Sequence, residues 1–283
     1  MNAGRPSRTA QEVALYRAAH NLLDRPPVFD DPLALRIIGR ATEAALRANP
    51  PRGSRAHSSI RAFVAARSRY AEDQLAQAVA RGVRQYVILG AGLDTFAYRN
   101  PHARAGLRVF EVDHAVTQAW KRQRLVEARI EIPEWLSFAA VDLTGDALVD
   151  GLCETGFRTD QSAFFAILGV VIFMPENALK QMLNHVARLP NGSGIVFDYG
   201  ILDSHLSESQ RAIRAAAARN AAAIGEPFIT FLDPPKLEAD LRQMGFKHID
   251  DCGFAAINHR YFEGRSDALR LEPSGRRLVA AYF

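Results

Sequence analysis

The chain has 283 residues, 48% of them hydrophobic and 23% charged, with a net charge of +4 and a pI near 9.3; that is ordinary for a globular protein with a full core. Its 35 basic side chains, nearly all arginine, are spread along the chain and not gathered in a block, which argues against a nucleic-acid footprint. Cys153 and Cys252 lie far apart, the first six residues hold no apolar leader core, and the longest apolar run, residues 163–174, is too short to span a bilayer, so a reduced, cytoplasmic protein without a metal site or membrane segment is expected.

Thr9-Ala10-Gln11-Glu12 has the spacing of a capping box and predicts a helix start, with Val13, Tyr16, His20 and Leu23 on one face. Asp24-Arg25-Pro26-Pro27 stops it. Asp31-Pro32 predicts a second helix with Asp31 as its cap. Residues 41–59 are less regular, and Asn49-Pro50-Pro51-Arg52-Gly53-Ser54 reads as a mobile loop. No strand is expected before residue 85, so residues 1–59 form a helical preamble placed to cap a site. In the next helix, residues 60–80, Phe63, Arg67, Tyr70, Ala71 and Gln74 share one face. Arg67 is thus a guanidinium on an inward stripe and needs a partner there, either a ligand carboxylate or a structural one.

Tyr86-Val87-Ile88-Leu89 then reads as a buried strand running into Gly90-Ala91-Gly92-Leu93-Asp94-Thr95. Glycines at 90 and 92 let backbone approach a ligand closely. A short helix over 95–99 ends at Asn100-Pro101, and a strand over 107–112 runs into Asp113, with Glu111 two residues before it. A carboxylate there is placed to accept from the two ribose hydroxyls of a nucleoside cofactor. Thr95 stands where a dinucleotide fingerprint wants its third glycine, and Asp94 would repel a pyrophosphate. The cationic, phosphate-free S-adenosylmethionine suits this loop better.

Elements then alternate. A helix over 115–129 carries Val116, Ala119, Trp120 and Gln123, and a strand over 137–141 ends at Asp142-Leu143. A helix over 146–154 and a strand over 163–168 lead to Gly169. Pro175-Glu176 opens a helix with Leu179, Met182, Leu183 and Val186 inward, and a strand over 194–198 ends at Tyr199. Helices over 208–223 and from Asp233 to Gly245 follow, then strands over 246–251 and 277–282. The expected fold is α/β: a Rossmann-like, mostly parallel sheet with helices on both faces, an antiparallel C-terminal edge and an N-terminal helical cap. Residues 1–283 would form one domain, with a cap (1–59), a cofactor-binding core (60–199) and a C-terminal part (200–283) bearing substrate-side elements. Gly90, Asp113, Asp142, Gly169 and Tyr199 all fall at carboxyl ends of strands, where ligands bind in such sheets.

The chain resembles the bacterial branch of the leucine carboxyl methyltransferase-like family of class I S-adenosylmethionine-dependent methyltransferases. The resemblance rests on Arg17-Ala18-Ala19-His20-Asn21-Leu22-Leu23 with Phe29-Asp30-Asp31-Pro32, on Ala66-Arg67-Ser68-Arg69-Tyr70 and on the Val87 to Thr95 segment. It continues through Phe110-Glu111-Val112-Asp113-His114, Val141-Asp142-Leu143, Leu168-Gly169-Val170, Phe197-Asp198-Tyr199 and Asn258-His259-Arg260-Tyr261-Phe262. The resemblance implies that Arg67 binds the carboxylate of the cofactor's methionine part. It also implies that Gly90 packs under the cofactor beside Gly92, that Asp113 takes the ribose hydroxyls with Glu111 as second choice, and that Asp142 and Leu143 flank the adenine. Leu168 replaces a glutamate of eukaryotic relatives and Phe173 a frequent tyrosine, so those two roles do not carry over.

The implied reaction is in-line methyl transfer to a small molecule, at a carboxylate or at a phenolic or alcoholic hydroxyl. A carboxylate acceptor requires no base, and Arg260 is then a candidate anchor; a hydroxyl acceptor requires one. Candidate bases are His20, His114, Tyr199 and His259. Against each stands a structural role: His20 on an apolar stripe, His114 at a helix start, Tyr199 as a wall. Two other functions remain open on the sequence: a nicotinamide-dependent oxidoreductase and a non-catalytic S-adenosylmethionine-binding protein.

Overall fold

The structure is a computed structural model and describes residues 7–50, 55–145 and 147–283. Four helices come first: α1 (Arg8–Leu23), α2 (Ala34–Ile37), α3 (Arg40–Ala48) and α4 (Arg55–Ala80). Then follow β1 (Gln85–Leu89), β2 (Arg108–Asp113), α5 (Ala115–Glu127), β3 (Leu136–Ala140), α6 (Leu148–Cys153), β4 (Ala163–Ile167), α7 (Glu176–Ala187) and β5 (Gly194–Gly200). The chain ends through α8 (Glu208–Ala223), α9 (Pro234–Gln243), β6 (His248–Cys252), α10 (Phe254–Tyr261) and β7 (Arg276–Tyr282).

The seven strands make one sheet in the order β3-β2-β1-β4-β5-β7-β6. β1 pairs in parallel with both β2 and β4, and β7 runs antiparallel between β5 and β6. Strand order therefore reverses at β1, and the crevice beyond its carboxyl end is where such sheets receive ligands. β1 and β4 are buried at every position because helices cover both faces. Alternation divides their side chains: Tyr86 and Ile88 pack on the α4 side, Val87 and Leu89 on the α7 and α9 side. A smaller apolar cluster joins α1 and α2 to Leu93 and to Leu125 of α5.

The expected sheet, its antiparallel edge and the flanking helices are all present. Several local expectations are corrected. The cap of α1 is Ser7, whose hydroxyl accepts from Ala10 N, and not Thr9. Asp31 closes a turn by accepting from Leu33 N, and α2 starts only at Ala34. Residues 40–48 are helical and α4 begins at Arg55, where an irregular stretch was expected. Residues 51–54 of the expected loop, Asp146 at the start of an expected helix, and the first six residues lie outside the described residues. The short helix after the glycine turn is one 3-10 turn, Phe96–Tyr98. The buried residues of α5 are Thr117, Gln118, Lys121 and Leu125. Helix α10 has no counterpart in the expectation.

Candidate functional site

The chain leaves β1 through Gly90 (φ 68°) and Gly92 (φ 44°), both in the left-handed region. Gly90 N and Ala91 N donate to Val112 O at 2.8 and 3.1 Å, which pins the turn to β2. A Cβ on Gly90 would stand 2.4 Å from Val170 Cγ2, so only glycine fits. The Thr95 hydroxyl donates to Asp31 Oδ2 at 2.6 Å, and the same carboxylate oxygen lies 2.8 Å from Arg17 Nε. Asp31 thus ties the N-terminal helices to the glycine turn.

Asp113 ends β2 against that turn. Gly92 N donates to its Oδ2 at 2.6 Å and His114 N to its Oδ1 at 2.7 Å. Burial raises its carboxyl above the usual carboxylate range, although those two bonds pull the other way. Each oxygen keeps a lone pair for a further donor. Asp142, after β3, accepts from Thr144 N and Oγ1 at 2.9 and 2.7 Å, which holds its carboxyl below the usual range.

On the other side of β1, Gly169 follows β4 with φ 73°. A Cβ there would lie 2.8 Å from Arg67 Nη1, so the glycine makes room for this guanidinium. Arg67 is buried and lies 3.3 Å from Asp198 Oδ2 of β5, while Asp198 Oδ1 accepts from Gly169 N.

One cavity of about 450 Å³ brings together Arg67, Gly90, Gly92, Asp113, Asp142 and Leu143. Its roof comes from two segments far apart in the chain: Thr9, Ala10, Val13 and Arg17 of α1, and Gly225, Glu226, Pro227 and Ile229 after α8. No motif or spacing marks Glu226 as part of the site. Its carboxylate accepts from Arg8 N at 2.9 Å and Thr9 N at 3.1 Å, capping α1 from across the cavity mouth. Arg17 belongs to the lining as well, within the alanine stripe of α1. A second recess, about 380 Å³ between α6 and α7, holds none of the predicted residues.

The donor set fits S-adenosylmethionine. A buried carboxylate faces the cavity at the end of β2, a guanidinium stands past β4, and a carboxylate and a leucine follow β3. Asp94, which accepts from Phe96 N at 2.8 Å, leaves the turn acidic and unsuited to a pyrophosphate.

The remaining candidates lie elsewhere. Glu111 is fully buried two residues before Asp113, 2.7 Å from Lys121 Nζ and 3.3 Å from the donating Tyr98 hydroxyl, and does not line the cavity. Burial pushes its carboxyl up to about 7, against the pull of Lys121. His20 has no exposed surface: Nδ1 lies 2.8 Å from Asp24 Oδ2, and Nε2 accepts from Val28 N and Phe29 N. With both nitrogens engaged it holds the loop after α1 and is not available as a base. The Tyr199 hydroxyl donates to Asp251 at 2.6 Å behind the sheet end, and burial raises it further from ionisation. Arg260 pairs with Asp250 at 2.9 Å on α10, and His259 is an exposed partner of Glu263, both away from the cavity. His114 lines the cavity from the N-cap position of α5, its side chain making no capping hydrogen bond. Leu168 and Phe173 also line it, with Phe173 edge-on to Phe228.

Comparison with known proteins places the family and the fold. The sequence model of the family described as "Leucine carboxyl methyltransferase" matches residues 10–187. A Bacillus subtilis (strain 168) protein named "Putative S-adenosyl-L-methionine-dependent methyltransferase YktD" is 32% identical over 95% of this chain and 95% of its own length. A similarly named protein of Parafrankia sp. (strain EAN1pec) is 33% identical over 64% of this chain and 59% of its own. Among solved structures, a DUF574-family protein from Streptomyces avermitilis superposes with a TM-score of 0.59, covering 96% of each chain at 17% identity. A Thermobifida fusca YX structure described as a putative methyltransferase gives 0.56 over 99% of this chain and 96% of its own, at 15% identity. These two show the same fold. With the family matched over more than half of its length and YktD over nearly all of it, the chain belongs to the leucine carboxyl methyltransferase family of S-adenosylmethionine-dependent methyltransferases.

Proposed function

We propose that this enzyme methylates an oxygen of a small molecule, and that the acceptor oxygen belongs to a carboxylate. The observation that carries this reading is the chemistry around Gly169. Among the described residues, the ionisable side chain packed against Gly169 is the Arg67 cation. Of the others lining the cavity, Arg17 pairs with Asp31, Asp94 accepts from Phe96 N, Glu226 accepts from Arg8 N and Thr9 N, and Asp113, His114 and Asp142 stand at or just past the ends of β2 and β3. A phenol or alcohol would need a base there, whereas a carboxyl group is already ionised at neutral pH.

In this reading Asp113 orients the ribose, Asp142 and Leu143 flank the adenine, and Arg67 holds the cofactor's carboxylate. Bound S-adenosylmethionine supplies a methyl group on a sulfonium, which leaves with its bonding electrons as a neutral thioether while the acceptor oxygen donates the pair for the new C–O bond. The protein contributes alignment and the exclusion of water, and α1 with the segment 225–229 covers the reactants. That roof favours a small acceptor over the carboxyl terminus of a protein, the acceptor class suggested by the family's description.

The test is transfer of labelled methyl to a panel of carboxylic acids, phenols and a peptide ending in leucine. The expected product is a methyl ester that releases methanol in alkali, formed at a rate nearly flat from about pH 6 to about pH 9. Alkali-stable label, formed faster as the phenol ionises, would assign a hydroxyl acceptor; transfer to the peptide alone would reverse the small-molecule reading.

A further inference from the structure

Arg276 opens β7 opposite Gly200 of β5, two residues beyond Asp198 in the pairing. Side chains at such positions share a face of the sheet, so Arg276 projects on the Asp198 side, towards α4. Its guanidinium lies 5.5 Å from the ring of Phe63, one turn before Arg67. Asp198, Arg67, Tyr16 of α1 and Arg214 of α8 are all near enough for their charges to act on it. The carboxylates of this neighbourhood are already engaged: Asp198 with Arg67 and Gly169 N, Asp203 with Arg214 at 2.9 Å, and Glu12 with the Tyr16 hydroxyl. Among the described residues Arg276 has no ion pair and no hydrogen bond, only the face of Phe63. By exposed surface it is half-buried, and that burial, with the nearby Arg67 charge, disfavours its charged form although Asp198 pulls the other way.

Three arginines thus converge where α1, α4 and the ends of β5 and β7 meet, and one of them lacks a counter-ion. A guanidinium fixed beside another cation is costly without an anion. Arg67 lines the cavity and its charge acts on Arg276, which stands just behind it and is not itself a lining residue. We propose that Arg276 anchors the methyl acceptor, its planar fork binding an anionic group of that molecule behind Arg67, where α1, α4 and the ends of β5 and β7 meet. The proposal rests on the carboxylate reading above and assigns it a residue that neither motif nor strand end marked.

The test is thermal unfolding with adenosylhomocysteine saturating, titrated with acetate, benzoate and octanoate, each against its neutral amide. At least one acid is expected to raise the melting temperature more than its amide does. Arg276→Gln is expected to abolish that preference, with acid affinity falling about tenfold or more, while the shift from adenosylhomocysteine stays. A preference that survives in Arg276→Gln, or none in the wild type, overturns the proposal. Should Arg276→Gln fail to fold, Arg276→Lys decides: it keeps the charge but loses the fork, and an undiminished acid preference in it overturns the proposal. The underlying reading fails separately, if adenosylhomocysteine leaves the wild type unshifted or if methyl transfer goes only to hydroxyl acceptors.

Discussion

Two carboxylates on β2, Glu111 and Asp113, face the same side of the sheet two residues apart and have different surroundings. Asp113 reaches the cavity and two backbone donors; Glu111 stops one step deeper, against Lys121. Strand position alone could name the pair as ribose acceptors. Depth separates them, and depth depends on where β2 ends relative to the glycine turn. Burial raises Glu111 to about 7, and that has a signed consequence. Its folded pKa exceeds the unfolded one, so its contribution to stability is full below the ordinary glutamate pKa and is lost as pH rises through about 7. Urea unfolding at about pH 5 and about pH 7 should therefore show the wild type losing on the order of 1–3 kcal/mol that Glu111→Gln does not lose. Equal pH slopes in the two proteins would contradict this. Other residues were legible because a strand end forces them into view: Gly90 follows β1 directly, and Asp142 and Gly169 stand two residues past β3 and β4. Arg276 was not, because β7 is inserted antiparallel and presents its first residue, not its last, to the site.

At the scale of elements, the alternation from β1 to β5 could be read because β1, β4 and most of β5 are apolar runs and the strands lead into glycine or acid. The failures have local causes. Thr9 and Glu12 have capping-box spacing, but the carboxylate that caps α1 is Glu226, from across the cavity. No local pattern contains that contact. On α5 the inward face is polar because Lys121 pairs with Glu111, and Gln118 Nε2 donates to Glu111 O and Ala139 O; a search for an apolar stripe therefore misses it. α10 spans only Phe254–Tyr261 and buries Ile257 alone, too little to impose a helical period on the sequence. The Glu226 contact makes α1 and the segment 225–229 one cover. Glu226→Ala should fray the first turn of α1 at a cost of roughly 0.5–2 kcal/mol. It should also speed adenosylhomocysteine release, because the roof opens where it was held. Hydrogen exchange at Arg8 and Thr9, with stopped-flow dissociation, checks both; unchanged exchange and release would show that the roof is held by other contacts.

For the whole molecule, the decisive feature is the reversal of strand order at β1, which puts β2, β3 and β4 ends around one crevice. Residues distant in sequence reach it only through that topology: Asp31 through Thr95, Arg67 through Gly169, and Glu226 through α1. Among the described residues no helix is long and apolar enough to cross a membrane, and no cluster of histidine, cysteine and carboxylates has metal-binding geometry. The central claim is that the crevice binds S-adenosylmethionine with Asp113 on its ribose. Calorimetric titration with adenosylhomocysteine, with NADH as control, tests it on wild type and Asp113→Asn, which keeps an acceptor for Gly92 N. The account predicts micromolar binding of adenosylhomocysteine and none of NADH, with an affinity loss of about tenfold or more in the variant, a charged hydrogen bond being worth roughly 1.5–3 kcal/mol. Undiminished affinity in a folded Asp113→Asn, or binding of NADH in place of the adenosyl ligand, would contradict it.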